Sequence, residues 1–300
     1  MNPSLGKNFM ICGPSIGILG HSSSFLTAGG VDERGTLNNN HAMSDPTSIF
    51  SKIPDLKHTE EFRPVSSGAF DNIVQNRRSV RVYTDEKIPS EVVEKVLDWA
   101  LLAPNSSNLQ CWEFYWVKHP VKKAQLIEAL FSQPAAKTAQ ELIVAVAKLE
   151  TWKENRKQML EVFDKSGSEI PDSARAYYSK LVPIAYTLGP LGIFGPLKHL
   201  FMSVTGFFRP IPREPKSKAD IRVWAHKSTA LACENIMLGF SAFGYDTCPM
   251  EGYDSARVKK VLELDSESEI CMVISAGKRA SNGIYGPRIR FPKNQFVKIL

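Results

Sequence analysis

The stretch "WAHKSTALACENIMLGFSAFGYDTCPMEGYD" (224–254) decides how the rest of the chain is read. From Asn235 it is apolar on every side of a helical wheel and stops at Gly244, the pattern of a central buried helix over 224–243 with a glycine cap. A short strand, "YDTCPM" (245–250), follows at once. Further on, a helix over 254–262 and an apolar strand, "EICMVISAG" (269–277), complete a helix–strand alternation.

Upstream, Val92, Val93, Val96, Leu97, Ala100 and Leu101 recur at helical spacing, with Ser90 placed to cap and Glu91 in the first turn, where it suits the helix dipole. "WEFYWVK" (112–118) reads as a strand, "PVKKAQLIEALF" (120–131) as a helix, and the β-branched "ELIVAVAKLE" (141–150) as a buried strand. The expected class is α+β: a mixed β-sheet surrounded by helices, with one long central helix.

Residues 151–219 interrupt that pattern. "TWKENRKQMLEVFDK" and "DSARAYYSKL" read as two polar helices, after which residues 181–197 contain no charge, nor do 200–208. Pro183, Pro190 and Pro196 argue against a simple spanning helix, leaving an apolar helical insert. Three readings stand: a Pro-kinked hairpin packed on the body or a dimer interface, a lid over a substrate pocket, or a membrane contact through 181–212. The last is favoured by Phe207 and Phe208 beside Arg209, Arg213, Lys216 and Lys218.

Residues 1–60 are rich in Gly, Ser, Asn and Pro and are expected to be mostly disordered, with a single domain over 61–300. Lys7 and "FMICGPSIGILG" (9–20) resemble a signal peptide, but Pro14 and the glycines break its apolar run, and Met43 offers an alternative start. The five cysteines include no Cys-x-x-Cys pair, which points away from zinc and towards a reducing, cytoplasmic compartment, with membrane association as the alternative. The net charge is +6, and no acidic residue follows Glu269, whereas Lys278, Arg279, Arg288, Arg290, Lys293 and Lys298 do. Such a tail suits a phosphorylated ligand or an acidic lipid surface; the interleaved aromatics of a nucleic-acid strip are missing.

Four short motifs carry chemistry. "RRSVR" (77–81), ahead of a helix, supplies Arg77, Arg78, Ser79 and Arg81, the guanidinium forks and hydroxyl that a phosphate monoester demands. "APNSSNLQ" (103–110) lines up Pro104, Asn105, Ser106, Ser107, Asn108 and Gln110, donors and acceptors for a heteroaromatic ring with several carbonyls. Glu251 and Gly252 join a strand to a helix, where a glycine lets backbone approach a flat ligand. In "GPRIRFP" (286–292), Arg288 and Arg290 stand at alternate positions and share one side of an extended chain.

In this order and spacing the motifs resemble the FMN-dependent nitroreductase family. The likeness runs through "RRSVRVYTDEKIPSEVVEKVLDWALLAPNSSNLQCWEF" (77–114), "ENIMLGFSAFGYDTCPMEGYD" (234–254) and "GPRIRFP". The resemblance implies that Arg77, Arg78, Ser79 and Arg81 hold the phosphate and ribityl chain of FMN, and that Arg288 and Arg290 close on the same phosphate. It places Pro104, Asn105, Ser106 and Asn108 in the partner subunit's flavin site across a homodimer interface, Gln133 at the pyrimidine edge, and Glu251, through its backbone N–H, with Gly252 beside flavin N5. It further implies NADH or NADPH as electron donor, ping-pong turnover and an electron-poor acceptor such as a nitroaromatic or quinone. Reductive dehalogenation, flavin destruction and non-catalytic flavin binding remain as alternatives. Asn105 and Cys111 depart from the family's common Ser and Pro. Cys111 and Cys248 read as small buried hydrophobes rather than redox thiols, and His226 as structural.

Overall fold

The computed structural model describes residues 60–166, 170–189 and 194–300. The expectations for residues 1–59, including the leader-like stretch and the alternative start, lie outside the described residues. The chain divides into two compact units. The larger comprises Phe62–Asn105, Gln110–Thr151 and Arg222–Leu300; the smaller includes Ser106–Leu109 and Trp152–Ile221.

In chain order the larger unit contains helix α1 (Ser67–Asn76), α2 (Ser90–Leu101), strand β1 (Trp112–Trp116), α3 (Pro120–Ala129), the single turn α4 (Pro134–Lys137) and β2 (Glu141–Lys148). The smaller unit then supplies α5 (Trp152–Lys165), α6 (Asp172–Ala176), a π-helical turn Tyr177–Leu181, α7 (Val182–Tyr186) and α8 (Phe194–Phe208). The chain ends with α9 (Lys218–Ala242), β3 (Asp246–Met250), α10 (Ser255–Leu262) and β4 (Ser268–Gly277).

The sheet has the order β1-β2-β4-β3, with every ladder antiparallel; its parallel component is the isolated bridge between Ser79 and Thr247. β2 is buried on both faces, so it reads as a continuous apolar run rather than an alternating one. Leu142, Val144 and Val146 pack with Leu126, Leu130, Val258 and Val273 on one side. Ile143 and Ala145 pack with Val93, Val96, Ala232, Ile236, Phe240 and Ile274 on the other. The period of two along the strand thus distributes one apolar segment between two helical layers.

Gly244 ends α9 as expected. Its φ of +77° is costly for other residues, and it lets the Tyr245 N–H turn back to the Phe240 carbonyl at 2.9 Å. The same helix begins earlier than its apolar pattern suggests, at Lys218, because Ser217 and Asp220 form a reciprocal cap: Asp220 N–H donates to Ser217 Oγ at 3.2 Å, and Ser217 N–H to Asp220 Oδ2 at 3.0 Å. Bonds from the Lys216 and Ser217 N–H groups hold the Asp220 carboxyl below its usual range.

Two sequence expectations are corrected. Ser90 is not the cap of α2: Pro89 occupies that position, its carbonyl accepts the Val92 N–H at 3.1 Å, and no side chain caps the helix. Proline's fixed φ already sets the chain entry, leaving Ser90 as the first helical residue. The "RRSVR" segment does not open a helix either. It follows the C-terminus of α1, a helix with no buried residue, whose Phe70, Ile73 and Val74 fall at helical spacing, a stripe that the sequence reading passed over. The cap Ser66 accepts the Ala69 N–H at 3.3 Å.

In the smaller unit, Tyr178 is fully buried and packs edge-on against Phe163. Its hydroxyl donates to the Ser107 carbonyl at 2.8 Å, while Arg156 Nε donates to the Tyr178 carbonyl at 2.7 Å. Within the segment expected as a polar helix, 172–181, Tyr178 is the one buried residue, while Asp172, Ser179 and Lys180 are exposed. Residues 190–193, within the uncharged run, lie outside the described residues. Among those described, no helix is long and apolar enough to cross a membrane.

Candidate functional site

Residues 77–84 run extended along the sheet edge. Val80 N–H donates to the Thr247 carbonyl at 3.0 Å, Arg81 N–H to the Gly283 carbonyl at 2.8 Å, and Thr84 N–H to the Lys278 carbonyl at 2.8 Å. In an extended chain alternate side chains share a side, so burying Val80 in the core turns Arg77, Ser79 and Arg81 together the other way.

The basic tail approaches the same edge through Gly283. A Cβ there would lie 2.4 Å from the Val82 carbonyl oxygen, so only glycine permits this approach. From it the chain continues past Tyr285 and Gly286 to Arg288 and Arg290. The result is a cleft of about 190 Å³ lined by Arg77, Arg78, Ser79, Arg81, Arg288 and Arg290, together with backbone and apolar groups of 284–289.

Several of these arginines are braced by neutral groups. Arg78 Nη2 donates to the Gly286 carbonyl at 2.7 Å, and the Arg81 guanidinium lies 5.4 Å from the centre of the Tyr285 ring. Arg288 Nη2 donates to the carbonyls of Gln75 and Arg77 at 2.6 and 2.9 Å, at the negative end of the α1 dipole. Among the described residues, no carboxylate lines the cleft. Arg279 provides the contrast: Asp246 grips it through both carboxylate oxygens, with Nε to Oδ2 at 2.8 Å, and it stands outside the lining. Five guanidinium groups without a lining carboxylate repel one another and create a field that favours a compact polyanion.

Glu251, Gly252 and Gln133 form a second group in the larger unit. Gln133 Nε2 donates to the Gly252 carbonyl at 2.8 Å and to the Leu130 carbonyl at 3.0 Å. Asp254 N–H donates to the Ala129 carbonyl at 2.9 Å, while the Asp254 carboxylate caps α10 through the Arg257 N–H at 3.1 Å. The loop carrying exposed Glu251 is therefore anchored at Gly252 and Asp254. These residues do not line the arginine cleft.

Pro104 and Asn105 do not line it either. Asn105 is buried, and its side chain serves its own loop: Oδ1 accepts the Gln110 N–H at 2.7 Å and Nδ2 donates to the Ala103 carbonyl at 3.4 Å. In the smaller unit, Ser106 and Asn108 are half-buried. Ser107 and Asn108 adopt left-handed φ angles of 58° and 46°, and Asn155 Nδ2 steadies the turn by donating to the Leu109 carbonyl at 2.8 Å.

Burial pushes the Cys111 thiol up to about 12 and raises Cys248 as well, which leaves both protonated and unreactive at neutral pH. The sequence reading missed Cys271. The Cys233 thiol and then His226 hold its thiol well below the ordinary range, while that same contact raises Cys233. His226 Nε2 lies 3.0 Å from Glu269 Oε2, and Arg222 Nε donates to both Glu269 oxygens at 2.6 and 2.8 Å. The spacing of Glu269 and Cys271 along a strand, and of His226 and Cys233 by seven residues along a helix, was a usable signal. Tyr285 and Gly286 were also missed, since only folding brings them under Arg81 and Arg78.

Known proteins share this arrangement of chain. Protein DrgA of Synechocystis sp. is 27% identical over 214 residues, covering 71% of this chain and 85% of that protein. YdgI of Bacillus subtilis, named as a candidate NAD(P)H nitroreductase, is 28% identical over 228 residues, covering 75% and 95%. Among solved structures, a candidate nitroreductase from Exiguobacterium sibiricum, determined in complex with FMN, superimposes with a TM-score of 0.58 over 77% of this chain and 97% of that one, at 24% identity. The sequence profile of the Nitroreductase family matches residues 74–278, and the chain belongs to that family.

Proposed function

We propose that this protein is an FMN-dependent NAD(P)H oxidoreductase that reduces nitroaromatics, quinones or similar electron-poor acceptors. The observation that carries the reading is the cleft of five arginines and Ser79 without a lining carboxylate, whose donor set fits the phosphate of FMN. Arg77, Ser79 and Arg81 bind the phosphate and the start of the ribityl chain. Arg290 closes on the same anion, joined by Arg288 with whatever donor capacity its backbone bonds leave, and Arg78 holds the tail in place through Gly286.

Glu251 presents its backbone N–H to the flavin ring and Gly252 gives the ring room. A Cβ at 252 would meet only Gln133 Nε2, at 3.6 Å, and the φ there is not left-handed, so the fold itself has no need of glycine at this position. Gln133 is positioned through Gly252 to meet the pyrimidine edge. FMN held there would supply two-electron hydride chemistry between NADH or NADPH and the second substrate, in ping-pong order. The protein's share is orientation, charge and exclusion of water, which asks little of side-chain acids and bases.

In this proposal Pro104, Asn105, Ser106 and Asn108 complete the flavin site of a partner subunit in a homodimer. The exposed Phe70 and Val74 on α1, a helix with no buried residue of its own, support such pairing. The direct test is an absorption spectrum of the purified protein followed by anaerobic addition of NADH, NADPH and then a nitroaromatic or quinone. A flavin band that bleaches with a nicotinamide and recovers with the acceptor is expected. No band after incubation with FMN would refute the proposal.

A further inference from the structure

Helix α8, Phe194–Phe208, has two faces with different fates. Leu200, Phe201, Val204, Phe207 and Phe208 are between 55% and 84% exposed. At about 100° per residue these positions fall within a sector of roughly 120°. The opposite side is anchored within its own unit: a Cβ on Gly195 would touch the Lys216 carbonyl, Lys198 Nζ donates to the Ala185 and Thr187 carbonyls at 3.1 and 2.5 Å, and Arg213 Nη2 donates to the Gly206 carbonyl at 3.1 Å. The apolar sector therefore faces outward because the other side of the helix is held.

Charge indicates what covers it. Across 180–218 the sequence carries Lys180, Lys198, Arg209, Arg213, Lys216 and Lys218 against Glu214 alone. Packing the patch against a second copy of itself would bring two such cationic segments together, whereas an anionic surface with an apolar interior complements both features. At about 1.5 Å per residue the fifteen-residue helix reaches roughly 22 Å, short of a bilayer's hydrocarbon thickness, so it suits lying in the interface rather than crossing. Phe207 and Phe208, edge to face at 5.2 Å and followed by Arg209, give the helix an aromatic end beside a cation.

We infer that α8 is an interfacial helix that docks this protein on an anionic lipid surface through Leu200, Phe201, Val204, Phe207 and Phe208. The inference stands apart from the flavin chemistry and survives or fails without it.

The test is flotation of the full-length protein with vesicles of phosphatidylcholine alone or mixed with phosphatidylserine. Binding is expected to the mixed vesicles, weaker in high salt, and about tenfold weaker for the triple variant Phe201→Ser, Phe207→Ser, Phe208→Ser. Should that variant fail to fold, Val204→Trp gives an independent readout: its emission minus that of the parent, which already carries five tryptophans, shifts to the blue with phosphatidylserine vesicles and not with phosphatidylcholine alone. No flotation of the parent protein, equal flotation of parent and triple variant, or an unshifted emission from the Val204→Trp variant overturns the inference. So does self-association of the parent that the triple variant abolishes without any lipid dependence, which would make a second copy the occupant.

Discussion

Arg288 Nη2 donates to the carbonyl oxygen of Gln75 at 2.6 Å, joining residues 213 positions apart in sequence. The guanidinium satisfies carbonyls left unpaired at the end of α1 and so fastens the basic tail over the arginine segment. Replacing it by Gln removes both the charge and the fork. In this exposed setting the loss is about 1 kcal/mol, so FMN binding should weaken by roughly fivefold and the tail beyond 286 should be cut sooner by trypsin. Flavin fluorescence titration and timed proteolysis measure the two effects; unchanged values in both would deny the clasp.

Arg81 and Arg279 carry the same charge to different ends. Arg81→Ala removes a guanidinium from the cleft proposed for the FMN phosphate and should raise the Kd for FMN about 10- to 100-fold with little change in unfolding midpoint. Arg279→Ala leaves the nearly buried Asp246 carboxylate unpaired. It should cost about 2 kcal/mol of stability, a figure reduced for the partial exposure of Arg279. Denaturant titration paired with flavin titration separates the two, and similar effects in both variants would contradict the assignment.

The uncompensated guanidinium cluster makes the flavin-free protein sensitive to anions. Inorganic phosphate should raise its Tm by a few degrees, more than chloride at equal ionic strength, because binding to the folded state adds to stability. The increment should shrink in Arg77→Ala and disappear once FMN is bound. Equal responses to the two salts would remove the cleft as a specific anion site.

Lys148 Nζ, 2.7 Å away, and then the Ser268 hydroxyl and N–H hold the Asp265 carboxyl down to about 2. A carboxyl depressed on folding contributes stability above its ordinary value near 4, and that contribution is lost as the pH falls towards 2. Asp265→Asn should therefore flatten the stability profile between roughly pH 4 and 2 and lower the plateau above it. Urea midpoints across that range are the measurement; parallel profiles for parent and variant would contradict the ion pair.

Among the described cysteines, Cys271 should be the first to alkylate. Its lowered thiol range gives thiolate at pH values where Cys111 and Cys248 remain protonated, and it is only partly buried. Iodoacetamide at pH 7 followed by peptide mapping should mark Cys271 about tenfold faster than either, and His226→Ala should slow it. Equal labelling would exclude activation by His226.

Local patterns made much of the fold legible. The all-round apolar run ending in Gly244 specified α9 and the strand after it, and the continuous apolar β2 specified a strand covered on both faces, because burial leaves its period in the sequence. The arginines of "RRSVR" and "PRIR" were legible as clustered cations, and the fold gathers them around one cleft. α1 left its signal in Phe70, Ile73 and Val74 at helical spacing, which the sequence reading passed over, while the cap of α2 was not readable, since Pro89 displaces Ser90 there.

What sequence alone determined, then, are the elements whose burial repeats every two or about 3.6 residues and the kinds of charge available to the site. Only tertiary structure decided which of those charges meet: that Arg288 closes on Gln75, that Asp246 removes Arg279 from the cleft, and that His226 reaches Glu269. Each pairing joins residues distant along the chain, and hydrogen bonds and ion pairs act over a few ångströms of space, so no local periodicity records them.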